Sequence, residues 1–107
     1  MINHEELENI SMQIILCAGD ARQKVQEAFD AALRGDYGTA QKAFDEADSH
    51  IQQAHIAQTD MIQKSLEDEK LELPNLLFIH AQDTLMTIMS EVNMSKNMVS
   101  LLKTLKP

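Results

Sequence analysis

The chain has 107 residues with a net charge of −8, which suffices for one domain with a modest core. The charge and the lack of a Lys/Arg cluster argue against nucleic acid as a partner, because a phosphate backbone would be repelled. With one cysteine, Cys17, and no signal-peptide or membrane-spanning pattern, we expect a reduced, cytoplasmic protein.

Turn signals interrupt the chain at two places. In RGDYG, residues 34–38, Gly35 is suited to end one helix and Asp36 to cap the next. The charged segment EDEKLELP, residues 67–74, is a second connection, and Pro74 suits a helix start. The sequence therefore predicts three helices, at about residues 5–34, 36–66 and 74–104.

The first two predicted helices each carry one apolar stripe with a spacing of three or four residues. In helix 1 the stripe is formed by Leu7, Ile10, Ile14, Ala18, Ala21, Val25, Ala28 and Ala32. In helix 2 it is formed by Ala40, Ala43, Phe44, Ala47, Ile51, Ala54, Met61 and Ile62. This spacing favours antiparallel helices crossing at about 20°. The predicted fold is all-α, an antiparallel up-down-up three-helix bundle that occupies the single domain of residues 1–107.

The third helix carries two apolar faces. One contains Leu77, Leu85, Ile88, Val92, Val99 and Leu102; the other contains Leu76, Ile79, Met86, Met94, Leu101 and Leu105, with Asp83 at its centre. A three-helix bundle buries only one face of each helix, and a second exposed apolar face usually marks an interface. Helix 1 also begins with a second face, formed by Met12, Ile15 and Leu16. The sequence therefore predicts an oligomer in which helix 3 packs against other copies.

The candidate chemistry centres on His80 and Asp83, one turn apart in the segment FIHAQDTLM. The chain offers too few ligands for a zinc or di-iron site, and it has no phosphate-binding loop or nucleophile elbow. Cys17 lies on the apolar side of helix 1, where a small buried hydrophobe is favoured over a reactive thiol. His80 is either a structural histidine or a nucleophile at the edge of an oligomer groove, because neutral imidazole exists at pH 7 without a helper base.

A second pair of polar residues, His55 and Gln58, lies beside or within the stripe of helix 2. A hydrogen-bonded pair at a helix contact is the favoured interpretation, with a role near His80 as the alternative. His50 lies off the stripe, and we expect no function for it.

Three segments resemble the enzyme IIA proteins of the lactose/cellobiose (N,N′-diacetylchitobiose) branch of the bacterial phosphotransferase system. They are AGDAR at 18–22, AHIAQT at 54–59 and HAQDTLMT at 80–87. They lie on three long helices in the order that the family shows. The RGDYGTA turn also falls where this family has its turn, so the resemblance spans about residues 5–105. One departure is Thr84, where the family often has a second histidine.

The resemblance implies a homotrimer in which His80 accepts a phosphoryl group from the carrier HPr and passes it to a cysteine of enzyme IIB. Gln82, His55 and Gln58 are assigned supporting roles. The resemblance further implies that Asp83 from three chains binds one divalent cation, such as magnesium, at the threefold axis. The membrane would be involved only through the IIC transporter, which couples the transfer to uptake of a disaccharide of the lactose, cellobiose or chitobiose type.

A hypothesis of a different class is a non-catalytic helical adaptor whose second face binds partner helices. Such an adaptor would keep the apolar stripes, but it would have no need for the HAQD or AHIAQT pattern. Phosphate uptake from HPr distinguishes the two hypotheses.

Overall fold

A computed structural model describes residues 4–67 and 75–107 of the chain, which form three helices. They are α1 (His4–Leu33), α2 (Tyr37–Glu67) and α3 (Leu76–Leu105). The predicted number, type and order of elements are confirmed, with boundaries shifted by one or two residues. The predicted helix start at Pro74 lies outside the described residues.

The turn between α1 and α2 has the geometry that its sequence predicts. Gly35 takes a left-handed conformation, with φ of 81°, and donates a hydrogen bond to the Ala32 carbonyl at 2.9 Å. The Asp36 amide donates to the Ala31 carbonyl at 3.0 Å, which completes a Schellman ending. The Asp36 carboxylate then accepts from the Thr39 amide at 3.1 Å and caps α2, as predicted.

The start of α3 is capped by Asn75. The Asn75 side chain accepts a hydrogen bond from the Phe78 amide at 3.1 Å. Asparagine is among the best residues at this position, because its side-chain oxygen satisfies an amide that has no partner inside the helix. This cap places His80 in the second turn of α3.

The core consists mainly of alanine with a few large side chains. Ten of the nineteen buried apolar residues are alanines, and the largest fully buried apolar side chains are Leu7, Ile14, Met61, Leu85 and Ile88. The predicted stripes are confirmed in large part, although Ile51 is half-buried and Ile62 is 37% exposed. Buried Phe78 and Ala81 extend the core stripe of α3 beyond the prediction. The small alanine side chains allow the helix axes to approach closely.

Ion pairs on the surface join the helices. The Arg22 guanidinium forms two bonds to the Glu91 carboxylate, at 2.8 and 3.0 Å, and joins α1 to α3, which run in the same direction. Lys96 binds Asp48 at 2.7 and 2.8 Å and joins α3 to the antiparallel α2. The result is a rod of 56 × 18 × 17 Å. Among the described helices, none has a stretch long and apolar enough to cross a membrane.

Candidate functional site

The outer face of α3 is exposed along its whole length. Its large apolar side chains are between 37% and 82% exposed, and they comprise Leu76, Ile79, Met86, Met94, Met98, Leu101 and Leu105. The expectation that a single bundle leaves the second apolar face of α3 uncovered is therefore confirmed. Asp83 is also exposed and lies within this face, as predicted.

His80 lies at the edge of the same face with its side chain exposed. Its backbone carbonyl accepts a hydrogen bond from the Thr84 hydroxyl at 2.8 Å. A hydroxyl has one proton, so Thr84 in this arrangement does not donate to the imidazole ring. Among the described residues, none forms a hydrogen bond or ion pair with that ring. The ring nitrogens of His80 are thus available to a reacting group that approaches from solvent.

Asp83 lies one turn beyond His80 and offers oxygen ligands. Within the described parts of a single chain, no group of three or more His, Cys, Asp or Glu side chains could hold a metal ion. One carboxylate per chain could contribute to a cation site only if several copies converged. Oxygen ligands are the type that magnesium prefers, so the chemistry of Asp83 fits the implied ion.

His55 and Gln58 do not meet His80 within one chain. His80 lies about 160° around the axis of α3 from Lys96, the α3 residue that binds Asp48 of α2, so its side chain is on the side of α3 away from α2. His55 is exposed, Gln58 is half-buried, and no hydrogen bond joins them. The expectation of a hydrogen-bonded pair was therefore wrong for this structure, and their supporting role stays a prediction.

Gln82 is close to His80 in height but lies on a different side of α3. Two residues along a helix are separated by about 200° around its axis. Gln82 comes two heptads, or about four helical turns, before Lys96, so the two residues lie on nearly the same side of α3. Because Lys96 binds Asp48 of α2, this is the α2 side of α3. Gln82 is half-buried there. Its supporting role beside His80 stays a prediction.

Cys17 is half-buried rather than fully buried. Its thiol lies 3.9 Å from the Gln53 side-chain oxygen, at the edge of the contact between α1 and α2. Burial, and to a smaller extent the nearby charge of Asp20, raise the pKa of the Cys17 thiol. A raised pKa lowers the thiolate fraction, which agrees with a structural role rather than a reactive one.

Sequence reasoning did not find the pairing of Arg22 with Glu91. Arg22 belongs to the AGDAR segment, and in the structure it links α1 to α3 on the exterior of the bundle. The two residues are 69 positions apart, so no local spacing connects them. The guanidinium of Arg22 reaches the carboxylate of Glu91 only because α1 packs beside α3, and it then forms two hydrogen bonds to it.

Comparison with known proteins relates nearly the whole chain to one family. The family described as "PTS system, Lactose/Cellobiose specific IIA subunit" matches residues 9–103. The lichenan-specific phosphotransferase enzyme IIA component of Bacillus subtilis is 40% identical over 92% of this chain and 88% of that protein.

Solved structures give the same result. The cellobiose-specific enzyme IIA of Bacillus anthracis is 35% identical with a TM-score of 0.85, over 99% of this chain and 94% of that one. The IIA protein in the IIA(Chitobiose)–HPr complex of Escherichia coli is 30% identical with a TM-score of 0.82, over 95% and 98%. The chain therefore belongs to the lactose/cellobiose family of phosphotransferase system IIA components.

Proposed function

We propose that this chain carries a phosphoryl group on His80, receiving it from phospho-HPr and delivering it to a cysteine of enzyme IIB. The observation that carries the proposal is the position of His80: it is exposed, its ring has no partner among the described residues, and it lies within the family match. That a related IIA protein forms a complex with HPr supports HPr as the donor.

In the first transfer, the lone pair of a neutral imidazole nitrogen of His80 attacks the phosphorus atom. A new N–P bond forms as the N–P bond to the histidine of HPr breaks. In the second transfer, a cysteine thiolate of enzyme IIB attacks, and an S–P bond replaces the N–P bond on His80. Such transfers depend on alignment and charge neutralisation more than on covalent help, so an exposed ring on a rigid helix is a suitable carrier.

The apolar surroundings of His80 serve docking. His80 lies at the edge of the outer face of α3, and partner contact at this edge would exclude water from the transfer. The chain has a net charge of −8, so acids elsewhere on its surface can attract a basic partner. Docking would then be weakened by salt.

The same proposal includes a homotrimer assembled through the outer face of α3. Asp83 from three chains would hold one divalent cation, magnesium being the proposed ion, at the threefold axis. When bound, that ion would offset two of the three negative charges. Leu76 and Leu101, which are exposed in the single chain, would be covered by the neighbouring copies and supply apolar contact.

The sugar-transport context completes the proposal. The carrier would act in the cytoplasm and reach the membrane only through a IIC transporter. The transported sugar would be a disaccharide of the lactose, cellobiose or chitobiose type.

The test is incubation with phosphoenolpyruvate, enzyme I and HPr, followed by intact-mass measurement. The wild-type chain should gain one phosphate in an acid-labile, base-stable form, and a folded His80→Ala variant should gain none. His50→Ala is the matched control and should label normally, while His55→Ala should retain some labelling. An unphosphorylated wild-type chain would instead favour the helical adaptor.

A further inference from the structure

A line of polar side chains runs along one side of α3 from His80. The residues four, seven and eleven positions further on are Thr84, Thr87 and Glu91, and this spacing keeps the whole line within about 60° around the helix axis. Arg22 of α1 binds Glu91, so the line lies on the α1 side of α3. Thr84 is half-buried and is the member of the line nearest to His80. It is therefore the hydrogen-bond donor of α3 best placed to act on a group that His80 carries.

The Thr84 hydroxyl forms a bond that it can release. It donates to the His80 carbonyl at 2.8 Å. In an α-helix that carbonyl already accepts from the backbone amide four residues later, which is the amide of Thr84 itself. The hydroxyl bond is thus a second bond to one acceptor, and its loss leaves no buried polar group unpaired. Rotation about the Cβ–Oγ bond is enough to turn the proton away from the carbonyl.

The same hydroxyl lies within reach of a phosphoryl group on His80. Cβ atoms four residues apart on a helix are about 5–6 Å apart. The side chain of Thr84 leans toward the helix N-terminus, and therefore toward the turn that carries His80. Its bond to the carbonyl places the hydroxyl beside the backbone of His80. Because the ring of His80 is exposed, it can adopt a rotamer that brings a phosphoryl oxygen to the hydroxyl.

The basic side chains of the described residues are engaged or distant. One group already binds carboxylates and consists of Arg22, Lys24, Lys64 and Lys96. Another group lies nearer to the opposite end of the bundle from His80 and consists of Arg34, Lys42, Lys103 and Lys106. A neutral donor is then the protein group that can serve the phosphoryl oxygens. A hydrogen bond to an ionised acceptor is about twice as strong as one between neutral groups, so the hydroxyl favours the phosphoryl group over the carbonyl.

We propose that Thr84 is a phosphoryl-binding residue of the carrier. When His80 takes up phosphate, the Thr84 hydroxyl turns from the His80 carbonyl and donates to a phosphoryl oxygen. This inference rests on the phosphoryl transfer proposed above and adds a residue to it. No covalent bond of Thr84 forms or breaks, and the proton stays on its oxygen. The hydrogen bond stabilises phosphohistidine relative to the free ring and holds the phosphoryl group in one orientation for the next transfer.

The distribution of phosphate between HPr and this chain tests the proposal. Equal amounts of phospho-HPr and the chain are mixed, and intact masses give the phosphorylated fraction of each protein at equilibrium. Thr84→Val keeps the shape of the side chain but removes the hydroxyl, and it should shift the equilibrium constant toward HPr by about tenfold. Thr84→Ser retains a hydroxyl and should restore most of the wild-type value.

Thr104→Val is the matched control. The Thr104 hydroxyl forms the same kind of bond, to the Ser100 carbonyl at 3.0 Å, near the other end of α3. Its loss should leave the equilibrium constant unchanged, which separates phosphate binding from a general effect on the helix. Phosphorus NMR gives a second readout. The chemical shift of the phosphoryl group on His80 should change in Thr84→Val and return toward the wild-type value in Thr84→Ser.

The outcomes separate the role of Thr84 from the function on which it rests. A wild-type chain that takes no phosphate on His80 would overturn both. A chain that is labelled, with the same equilibrium constant in Thr84→Val as in the wild type, would overturn the role of Thr84 alone. An equal shift in Thr104→Val, or a shift that Thr84→Ser does not reverse, would also overturn that role, because the loss would then come from the helix or its packing.

Discussion

Replacing Asp83 with leucine tests the charge at the proposed threefold axis. In the trimer three carboxylates would converge, and each pair of like charges about 4 Å apart repels by about 4 kcal/mol at an effective dielectric of 20. A bound divalent cation, or protons retained on the acids, would offset this repulsion. Asp83→Leu removes the repulsion and with it the need for the ion.

Leucine at this position would continue the exposed apolar face that Leu76 and Met94 already form on α3. Burying one leucine contributes about 1.5–3 kcal/mol, so each chain of the trimer should gain stability. A gain of about 1 kcal/mol raises the melting temperature of a domain of this size by about 4–8 °C. Replacing a buried ionic cluster by apolar side chains is stabilising in other proteins for the same reason.

Light scattering and thermal melts, each with and without EDTA, provide the assay. We expect the wild-type trimer to melt at a lower temperature in EDTA, and Asp83→Leu to stay trimeric and insensitive to it. Asp20→Leu, at an exposed acid on α1, is a control that should keep the sensitivity to EDTA. An Asp83→Leu protein that dissociates would refute the charge argument, and a wild-type monomer at micromolar concentration would refute the assembly.

Three further predictions concern single side chains. Asn75→Ala should destabilise the protein by about 1 kcal/mol in urea unfolding, because the Phe78 amide loses its cap; an unchanged midpoint would contradict this role. Hydrogen bonds from Thr39 hold the pKa of Asp36 below its ordinary value of 3.8, so its stabilising effect is complete above that pH and is lost as the pH falls through the folded value. As the pH is lowered, the free energy of unfolding of Asp36→Asn should therefore fall less steeply than that of the wild type. An identical fall in both proteins would argue against the cap. Cys17→Ala should transfer phosphate at nearly the wild-type rate with a small loss of stability, and a severe loss of transfer in a folded variant would show that the thiol takes part.

The fold was predictable because its signals are local. Gly35 and Asp36 mark one turn through their backbone and capping preferences, and the stripe from Leu7 to Ala32 has the period of a helix. The second face of α3 could be recognised for the same reason, since one helix needs only one buried side. Asn75, which provides the cap of α3, was not identified from the sequence.

The candidate site was predictable only in part, because its geometry depends on how the helices align. His80 and Asp83 lie on one helix, so their spacing determines that both are exposed on one face. The positions of His55 and Gln58 relative to His80 depend on the register of α2 against α3. Contacts between these helices, such as Lys96 with Asp48, join residues that are 48 positions apart and follow no local pattern.

The position of the phosphoryl group in the labelled protein tests the central claim most directly. Digestion under alkaline conditions preserves phosphohistidine, and fragmentation can separate the peptide that contains His80 from those with His4, His50 and His55. We predict that protein labelled through phosphoenolpyruvate, enzyme I and HPr carries its phosphate on His80 and loses it when enzyme IIB is added. A phosphate found on another residue, or one that enzyme IIB does not remove, would contradict the role of His80 as the carrier.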